Sequence, residues 1–157
     1  MKAMGIRVTR GEIFYCVVES TPRRVVPVDV RVDRLVVPQA LDIPAQLAYI
    51  RTSLLSILTQ HEVVHAGIRV VENNSQTLDR YRLNIEGVVQ ELLADSTVEK
   101  YFAGPKGTMA RFLSVPVKDV TRVIEGADFA MVANWQQFRR REERESIVAA
   151  VAAMNIQ

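Results

Sequence analysis

Short apolar runs with strand-like patterns fill the first forty residues. Residues 4–9 and 12–19 are rich in β-branched and aromatic side chains, and Gly11 marks a tight turn between them. In residues 25–37, valines alternate with charged side chains, which indicates a strand with one face in water. Pro27 has no N–H to donate, so this strand is expected at a sheet edge. The pattern predicts three antiparallel strands.

The middle of the chain changes between helical and strand periodicity. Asp42 can cap a helix whose apolar side chains follow a 3.6-residue spacing as far as Gln60. Residues 63–71 form a continuous β-branched run, which is typical of a central strand covered on both faces. We therefore expect a fourth strand there, a second helix at about residues 79–96 and a fifth strand at residues 97–102.

The second helix is predicted to bury its aliphatic face. Gly87 in its middle costs about 1 kcal/mol relative to alanine, which we interpret as a close approach to the sheet. The predicted buried residues are Tyr81, Ile85, Val88, Val89 and Leu92, and the predicted polar side comprises Glu86, Gln90, Glu91 and Asp95.

The last third of the chain has a weaker pattern. Glycine and proline divide residues 106–129 into short apolar pieces, which predict one-turn helices and leave the role of residues 106–133 open. A final helix is predicted at about residues 134–154, charged first and then apolar. That apolar end offers an interface for a purely structural homodimer. The aromatic residues Tyr81, Phe102 and Trp135 are expected in the core or at an interface.

Composition and charge set broad limits. The 157 residues are 48% hydrophobic and 24% charged, which predicts one globular domain over residues 1–157. The net charge of +2 is too close to balance to require nucleic acid as a partner. The single cysteine, Cys16, lies in an apolar run, so we expect a buried thiol and a reducing environment. No apolar run approaches the roughly 18 residues of a membrane span, so we expect a cytoplasmic protein and no membrane partner.

Three stretches resemble a known nuclease branch. MGIRVTRGEIFYCVVE resembles the opening hairpin of RuvC-like Holliday-junction resolvases, AGIRVV resembles their fourth strand, and RLNIEGVVQELLA resembles the helix that follows it. The arrangement is most similar to short bacterial RuvC-like proteins of unknown function. The resemblance covers about residues 4–103. It implies an α/β, ribonuclease H-like fold with a five-stranded mixed sheet in which the first strand lies beside the fourth.

The same resemblance implies a changed metal site. Nucleases of this fold hold two metal ions about 3.5–4 Å apart with carboxylates, conventionally from the first and fourth strands. Those positions are Arg7 and Arg69 here, and guanidinium groups bind phosphate or carboxylate rather than magnesium. We therefore expect no active metal-dependent nuclease and no cofactor. Magnesium would require a displaced site built from Glu72, Asp95 or Asp128.

Arg7 and Arg69, together with Arg10, form the candidate anion or nucleic-acid site. On neighbouring parallel strands the first two would lie at the carboxyl edge of the sheet, where ligands of α/β sheets bind. In an alternative interpretation, each pairs with a carboxylate such as Glu72 or Glu86. The two GIR tripeptides that contain these arginines, residues 5–7 and 67–69, are too short to count as a repeat.

A second basic segment is the RRRxxR motif of residues 139–144. Arginines in this spacing could contact a nucleic-acid backbone. Glu142, Glu143 and Glu145 lie among them, however, and interleaved charges of both signs favour a solvated, self-compensated helix face.

A rival interpretation starts from His61-Glu62-Val63-Val64-His65, which matches HExxH. On a helix, the two histidines bind zinc with Glu62 as general base, and Glu91 resembles the third ligand of gluzincin metallopeptidases. On a strand, the histidines are separated by roughly 13 Å and cannot share a tetrahedral site. The β-branched run favours the strand. The leading hypothesis is thus a binding module for nucleic acid or a protein, with a zinc peptidase and a homodimer as alternatives.

Overall fold

The computed structural model describes residues 1–20, 28–72 and 79–157. Within these ranges the chain forms strands, α-helices and one 3₁₀ turn. The strands are β1 Lys2–Val8, β2 Glu12–Glu19, β3 Val30–Val36, β4 His65–Arg69 and β5 Lys100–Gly104. The helices are α1 Ile43–His61, α2 Arg80–Ala94, α3 Lys106–Leu113, α4 Val117–Ile124 and α5 Arg141–Ala153, and the 3₁₀ turn is Trp135–Gln137.

The strands form one mixed sheet in the order β3-β2-β1-β4-β5. The β1, β2 and β3 strands are antiparallel, whereas β4 and β5 run parallel to β1. The first strand therefore lies beside the fourth, as expected, and β3 is an edge strand, as expected. Pro27, the basis of that edge prediction, lies outside the described residues.

Local signals explain where the central elements begin and end. The Asp42 carboxylate caps α1 by accepting a hydrogen bond from the Ala45 N–H at 3.0 Å. The helix stops at His61 because Glu62 takes a left-handed conformation with φ of 53°. The Asp79 carboxylate caps α2 by accepting from the Tyr81 N–H at 3.0 Å.

Helices α1 and α2 cover one face of the sheet with aliphatic side chains. Alternate residues of β1 point to this face and meet α1 and α2 in a core with no exposed surface. Its central members are Met4, Ile6, Val8, Ile13, Ile50, Leu54, Leu58, Ile68, Ile85, Val89 and Leu92.

Helices α3, α4 and α5 cover the other face, where α5 comes unusually close to the strands. A Cβ atom at Gly5 would overlap the Ser146 carbonyl oxygen, and one at Gly67 would lie 2.9 Å from the Ala149 carbonyl oxygen. Gly5 and Gly67 are paired in register, as are the isoleucines and arginines that follow them. The two GIR tripeptides thus lie side by side, with glycine and arginine facing α5 and isoleucine facing α1 and α2.

Several expectations about helices and strands are corrected. Gly87 does not approach the sheet, because a Cβ atom there would meet no atom within 4 Å. Glu86, predicted on the polar side of α2, is buried. The last helix begins at Arg141 rather than near residue 134, and the fifth strand begins at Lys100. Helices are present within residues 106–129 as expected, but α3 and α4 have eight residues each, a little over two turns rather than one.

Burial also bears on the expected interfaces. Cys16, Phe102 and Trp135 are buried, as predicted. The apolar end of α5 is buried within this chain and provides no surface for the expected homodimer, because Ile147 and Val148 have no exposed area. In the part of the chain that the structure describes, no helix has the length and apolar character needed to cross a bilayer.

Candidate functional site

Arg7 and Arg69 lie side by side at the carboxyl ends of β1 and β4. The strand register pairs the two residues directly. Arg7 Nε donates a hydrogen bond to Glu145 Oε2, and Arg69 Nε lies 3.7 Å from Glu145 Oε1. One carboxylate of α5 therefore stands between two guanidinium groups.

Glu145 can reach both arginines because α5 lies against glycine on both strands. Gly5 and Gly67 each precede an arginine by two residues and so share its face of the sheet. The side chains of Glu145 and Arg69 are 1% and 4% exposed. Charges buried this deeply are stable only when opposite charges compensate them, which the three side chains do for one another.

Arg69 has a second carboxylate partner in Glu72. Arg69 Nη2 lies 2.9 Å from Glu72 Oε1, and Arg69 Nη1 donates to the Val70 carbonyl. Burial lowers the pKa of Arg69, and the nearby Glu145 carboxylate opposes that effect. The sequence-based alternative that Arg69 pairs with Glu72 is thus confirmed.

Glu86 lies at the same edge, on the first turns of α2. Its Oε1 accepts hydrogen bonds from the Val71 N–H at 3.2 Å and from Arg82 Nε at 3.1 Å. Burial raises the pKa of the Glu86 carboxyl, while the Val71 N–H and the charges of Arg7 and Arg69 act in the opposite direction. Glu86 therefore pairs with Arg82, not with Arg7 or Arg69 as the sequence had allowed.

These groups lie close together at the sheet edge and are called here the edge cluster. The charges of Arg7 and Arg69 act on Glu86, although only Arg82 and the Val71 N–H contact its carboxylate in the described part of the chain. Arg141 joins the cluster from the first turn of α5, with its Nε 3.7 Å from Glu145 Oε1. Four guanidinium groups face three carboxylates, which leaves one net positive charge. The edge cluster comprises Arg7, Arg69, Arg82, Arg141, Glu72, Glu86 and Glu145.

The edge cluster keeps unused hydrogen-bonding capacity. Arg7 Nη1, Arg69 Nε and Arg82 Nη2 are buried donors, and Glu145 Oε1 is a buried acceptor, with no hydrogen-bond partner among the described residues. Buried donors in proteins are normally satisfied, so such groups call for a polar ligand or water. Arg69 Nε already faces Glu145 Oε1 at 3.7 Å, so an anion at this edge would supply acceptors for Arg7 Nη1 and Arg82 Nη2.

Further exposed arginines lie around the edge cluster and form what we call the basic rim: Arg10, Arg34 and Arg140. Arg34 and Arg140 both donate to Glu12, and the Arg140 guanidinium lies 4.6 Å above the Phe14 ring. Arg10 is 80% exposed, with Asp79 3.9 Å away. Of the predicted site residues, the structure brings Arg7 and Arg69 together and leaves Arg10 outside their network.

Glu145 is the site residue that the sequence analysis missed. It was predicted on a solvated face, but it is buried because α5 presses that turn against β1 and β4. The RRRxxR motif is divided accordingly: Arg140 and Arg141 face the edge, whereas Arg144 donates to the Ile124 carbonyl at 2.7 Å. A usable signal was present, since Glu145 lies one helical turn before Ala149 on the small-residue face of α5.

The zinc geometry is not formed. His61 ends α1 and His65 begins β4, so the strand prediction for His65 is confirmed and the helical i, i+4 arrangement is absent. His65 Nδ1 lies 3.1 Å from the Ala153 carbonyl oxygen. The expected third ligand, Glu91, accepts a hydrogen bond from Arg51 Nε at 2.8 Å.

The carboxylates considered for a displaced magnesium site have other partners or stand apart. Glu72 binds Arg69, and Asp95 accepts from Arg51 Nη2 at 2.7 Å. Asp128 is exposed in the segment after α4. Over residues 1–20, 28–72 and 79–157, no three His, Cys, Asp or Glu side chains are grouped so as to hold a metal ion.

Comparison with known proteins identifies the fold. The Thermus thermophilus RuvC structure superposes with a TM-score of 0.71 at 12% identity, covering 99% of this chain and 94% of that one. T. thermophilus RuvC in complex with Holliday junction substrate gives a TM-score of 0.68 at 12% identity, with the same coverage of both chains. Fowlpox virus resolvase in a Holliday junction DNA complex gives 0.53 at 8% identity, covering 98% of this chain and 97% of that one.

At these identities the comparisons establish the fold alone. The ribonuclease H-like, RuvC-like fold expected from the sequence is confirmed over nearly the whole length of the chain. No protein-family model matches the sequence, and no curated protein matches it.

Proposed function

We propose that this chain is a nucleic-acid-binding module whose sheet edge holds phosphate groups with arginine in place of metal ions. The observation that carries the proposal is the pairing of Arg7 with Arg69 at the carboxyl edge, where nucleases of this fold place metal-binding carboxylates. A guanidinium has only donors and a permanent positive charge, so it can bind a phosphate but cannot ligate a metal ion.

Exposed and buried arginines would have different roles in binding. The arginines of the basic rim are exposed and would make the first contacts with the phosphate backbone. Beneath them, the edge cluster would supply unpaired donors and, through the exposed Arg141, one net positive charge. In cleavage by nucleases of this fold, metal ions activate water and stabilise the leaving group. Arginine in place of the metal-binding carboxylates therefore favours binding without cleavage.

Branched DNA is the first ligand to test. Two of the similar structures, T. thermophilus RuvC and Fowlpox virus resolvase, are complexes with Holliday junctions. A four-way junction also brings several phosphate backbones close together, which suits a small edge with several exposed arginines. We place this activity in the cytoplasm and assign it to one domain of residues 1–157.

The experiment is a fluorescence-anisotropy titration with a labelled four-way junction, a duplex of the same sequence and a single strand. We expect binding that persists in EDTA and no cleavage when magnesium is added. The variant R140A/R141A removes one charge from the basic rim and one from the exposed end of the edge cluster, and is expected to weaken junction binding at least about tenfold. The slope of log affinity against log salt should fall by about 2.

The matched control is K2A/K100A, which removes two charges at the opposite, amino end of the parallel strands. Its affinity should stay within about twofold of the parent protein. Equal losses in both double variants would show that binding depends on overall charge and would refute a site at the carboxyl edge. Magnesium-dependent cleavage of the junction by the parent protein would refute binding without catalysis.

A further inference from the structure

Helices α3 and α4 form a compact pair that the edge cluster does not use. Only Ser114, Val115 and Pro116 separate them, and Ser114 takes a left-handed conformation with φ of 55°. The Val115 N–H donates to the Ala110 carbonyl at 3.1 Å, which fixes the turn. Two short helices joined by a turn of three or four residues have the connectivity of a helix–turn–helix motif.

The inner side of the pair is a continuous part of the core. Both helices pack against α5, and the small side chain of Ala110 lies among larger apolar groups. The buried residues are Met109, Ala110 and Leu113 of α3 and Val120 and Ile124 of α4. With the inner side anchored in this way, the orientation of α4 is fixed by the body of the protein.

The outer side of α4 carries one stripe of accessible residues. Val117 and Lys118 lie in its first turn, and Thr121 and Arg122 follow one turn later on the same face. Val117 is 48% exposed and the Arg122 side chain is 69% exposed. Arg122 Nη1 lies 3.8 Å from Asp119, a distance at which an exposed pair restrains it little.

Charge distinguishes this stripe from a surface for an apolar partner. Lys106, Arg111, Lys118 and Arg122 face only Asp119 and Glu125 within residues 106–125, which leaves +2, as much as the whole chain carries. Val117 is the only large exposed hydrophobic residue of α3 and α4. On this helix, the cations Lys118 and Arg122 and the Thr121 hydroxyl match the acceptors of a DNA major groove, and the isopropyl group of Val117 matches its thymine methyl groups.

We propose that α3, the turn and α4 form a second nucleic-acid site that reads duplex DNA, with α4 in the major groove. Lys118 and Arg122 would donate to guanine acceptors, Thr121 would hydrogen-bond a base edge, and Val117 would contact a thymine methyl group. Arg111 on α3 would bind the backbone beside the groove. This site confers sequence preference, which the phosphate contacts of the basic rim do not provide.

The test is selection of bound duplexes from a randomised 20-base-pair pool, followed by anisotropy titration of the enriched sequence and a scrambled one. We expect an enriched sequence bound at least about tenfold tighter than the scrambled duplex. The variant K118A/R122A should lose that preference. The variant K2A/K100A should keep it, and circular dichroism should show both variants folded, because all four side chains lie outside the core.

The outcomes separate this inference from the proposed edge site. No enrichment by the parent protein, or preference retained in K118A/R122A, overturns the helix–turn–helix reading. If K118A/R122A loses sequence preference while R140A/R141A alone loses affinity for the four-way junction, both sites stand. If R140A/R141A has no effect but K118A/R122A does, the edge proposal fails and this inference is supported.

Discussion

On the face covered by α1 and α2, β1 presents Met4, Ile6 and Val8 to aliphatic side chains. On the face covered by α5, the same strand presents Ala3, Gly5 and Arg7. The backbone of α5 packs directly against Gly5, which has no side chain. The first face is an ordinary apolar core. The second is closely packed at Gly5 and Gly67, and two residues further along the same strands it contains the buried charges of the edge cluster.

The two faces differ in how much change each can absorb. An aliphatic contact can adjust by side-chain rotation, whereas a helix backbone that touches a strand has no such freedom. The close approach is also what delivers Glu145 to Arg7 and Arg69. Placement of the candidate site therefore depends on the glycine face and only indirectly on the aliphatic one.

The largest expected effect comes from Gly5→Val. A side chain at Gly5 would overlap the Ser146 carbonyl oxygen and the Ala150 nitrogen, both of which belong to the α5 backbone. Overpacking of this kind usually costs about 1–3 kcal/mol. Since neither neighbour can rotate away, we expect more than about 5 kcal/mol, comparable to the whole stability of many domains. Soluble expression and urea unfolding measure the effect.

Gly87→Val is the matched control for that substitution. Gly87 lies in the exposed part of α2 with open space around it, so valine should change the free energy of unfolding by less than about 0.5 kcal/mol. Similar urea midpoints for the two variants would mean that α5 does not lie against β1 as described.

The next effect is that of Glu145→Ala. The change leaves the largely buried guanidinium groups of Arg7 and Arg69 facing each other without their shared carboxylate. Removing one partner of a buried ion pair typically costs about 3–5 kcal/mol, and we expect a loss in that range from urea unfolding.

Glu142→Ala provides the comparison on the same helix. Glu142 lies in the first turn of α5 and is only partly buried, so its loss should cost less than about 1 kcal/mol through the helix dipole. If Glu145→Ala proved as mild as Glu142→Ala, the arginines would have to reach solvent readily, and the charges of the edge cluster would not be buried.

Leu54→Ala measures the other face. Leu54 of α1 is fully buried among aliphatic side chains, and truncation of such a leucine costs about 2–5 kcal/mol, commonly near 3. We expect this loss of stability in urea unfolding with no change in the affinity of the remaining folded protein for DNA. If the folded Leu54→Ala protein bound DNA more weakly than the parent, α1 and α2 would contribute to the position of the edge cluster.

Most of the strands and helices were predictable because their signals are local. The β2 and β3 strands are short runs rich in β-branched and aromatic residues, and the Asp42 cap and the break near His61 bound the first long helix. The order of the sheet was not a local signal, and it followed from the resemblance to RuvC-like proteins. The two GIR tripeptides held further information, because their register in neighbouring strands places glycine, isoleucine and arginine in identical roles.

Periodicity did not predict which charged side chains are buried. From Glu145 to Ala153 every residue of α5 is buried, so no polar face marks which charges enter the core. Glu86 was assigned to the polar side of α2 for a similar reason. Its spacing from Arg82 is visible in the sequence, but its burial and its Val71 partner are known only from the fold. In both cases the buried charge is compensated, by Arg7 and Arg69 for Glu145 and by Arg82 and the Val71 N–H for Glu86.

The smallest expected effect, a pH dependence, tests whether Glu86 belongs to that buried region. Burial raises the pKa of Glu86 above its ordinary value of 4.5, so the folded state binds a proton more readily than the unfolded state. The free energy of unfolding should therefore fall as the pH rises through the interval between those two values. In Glu86→Gln this contribution disappears, and the variant should gain stability relative to the parent as the pH rises.

Glu91, on the exposed side of the same helix, should behave in the opposite sense. The hydrogen bond from Arg51 lowers the pKa of Glu91, so its stabilising contribution is present above the unfolded pKa and is lost as the pH falls. Urea midpoints of the parent, Glu86→Gln and Glu91→Gln proteins from about pH 4 to about pH 7 should thus give difference curves of opposite slope. Slopes of the same sign would mean that Glu86 is exposed to solvent and does not belong to the buried edge cluster.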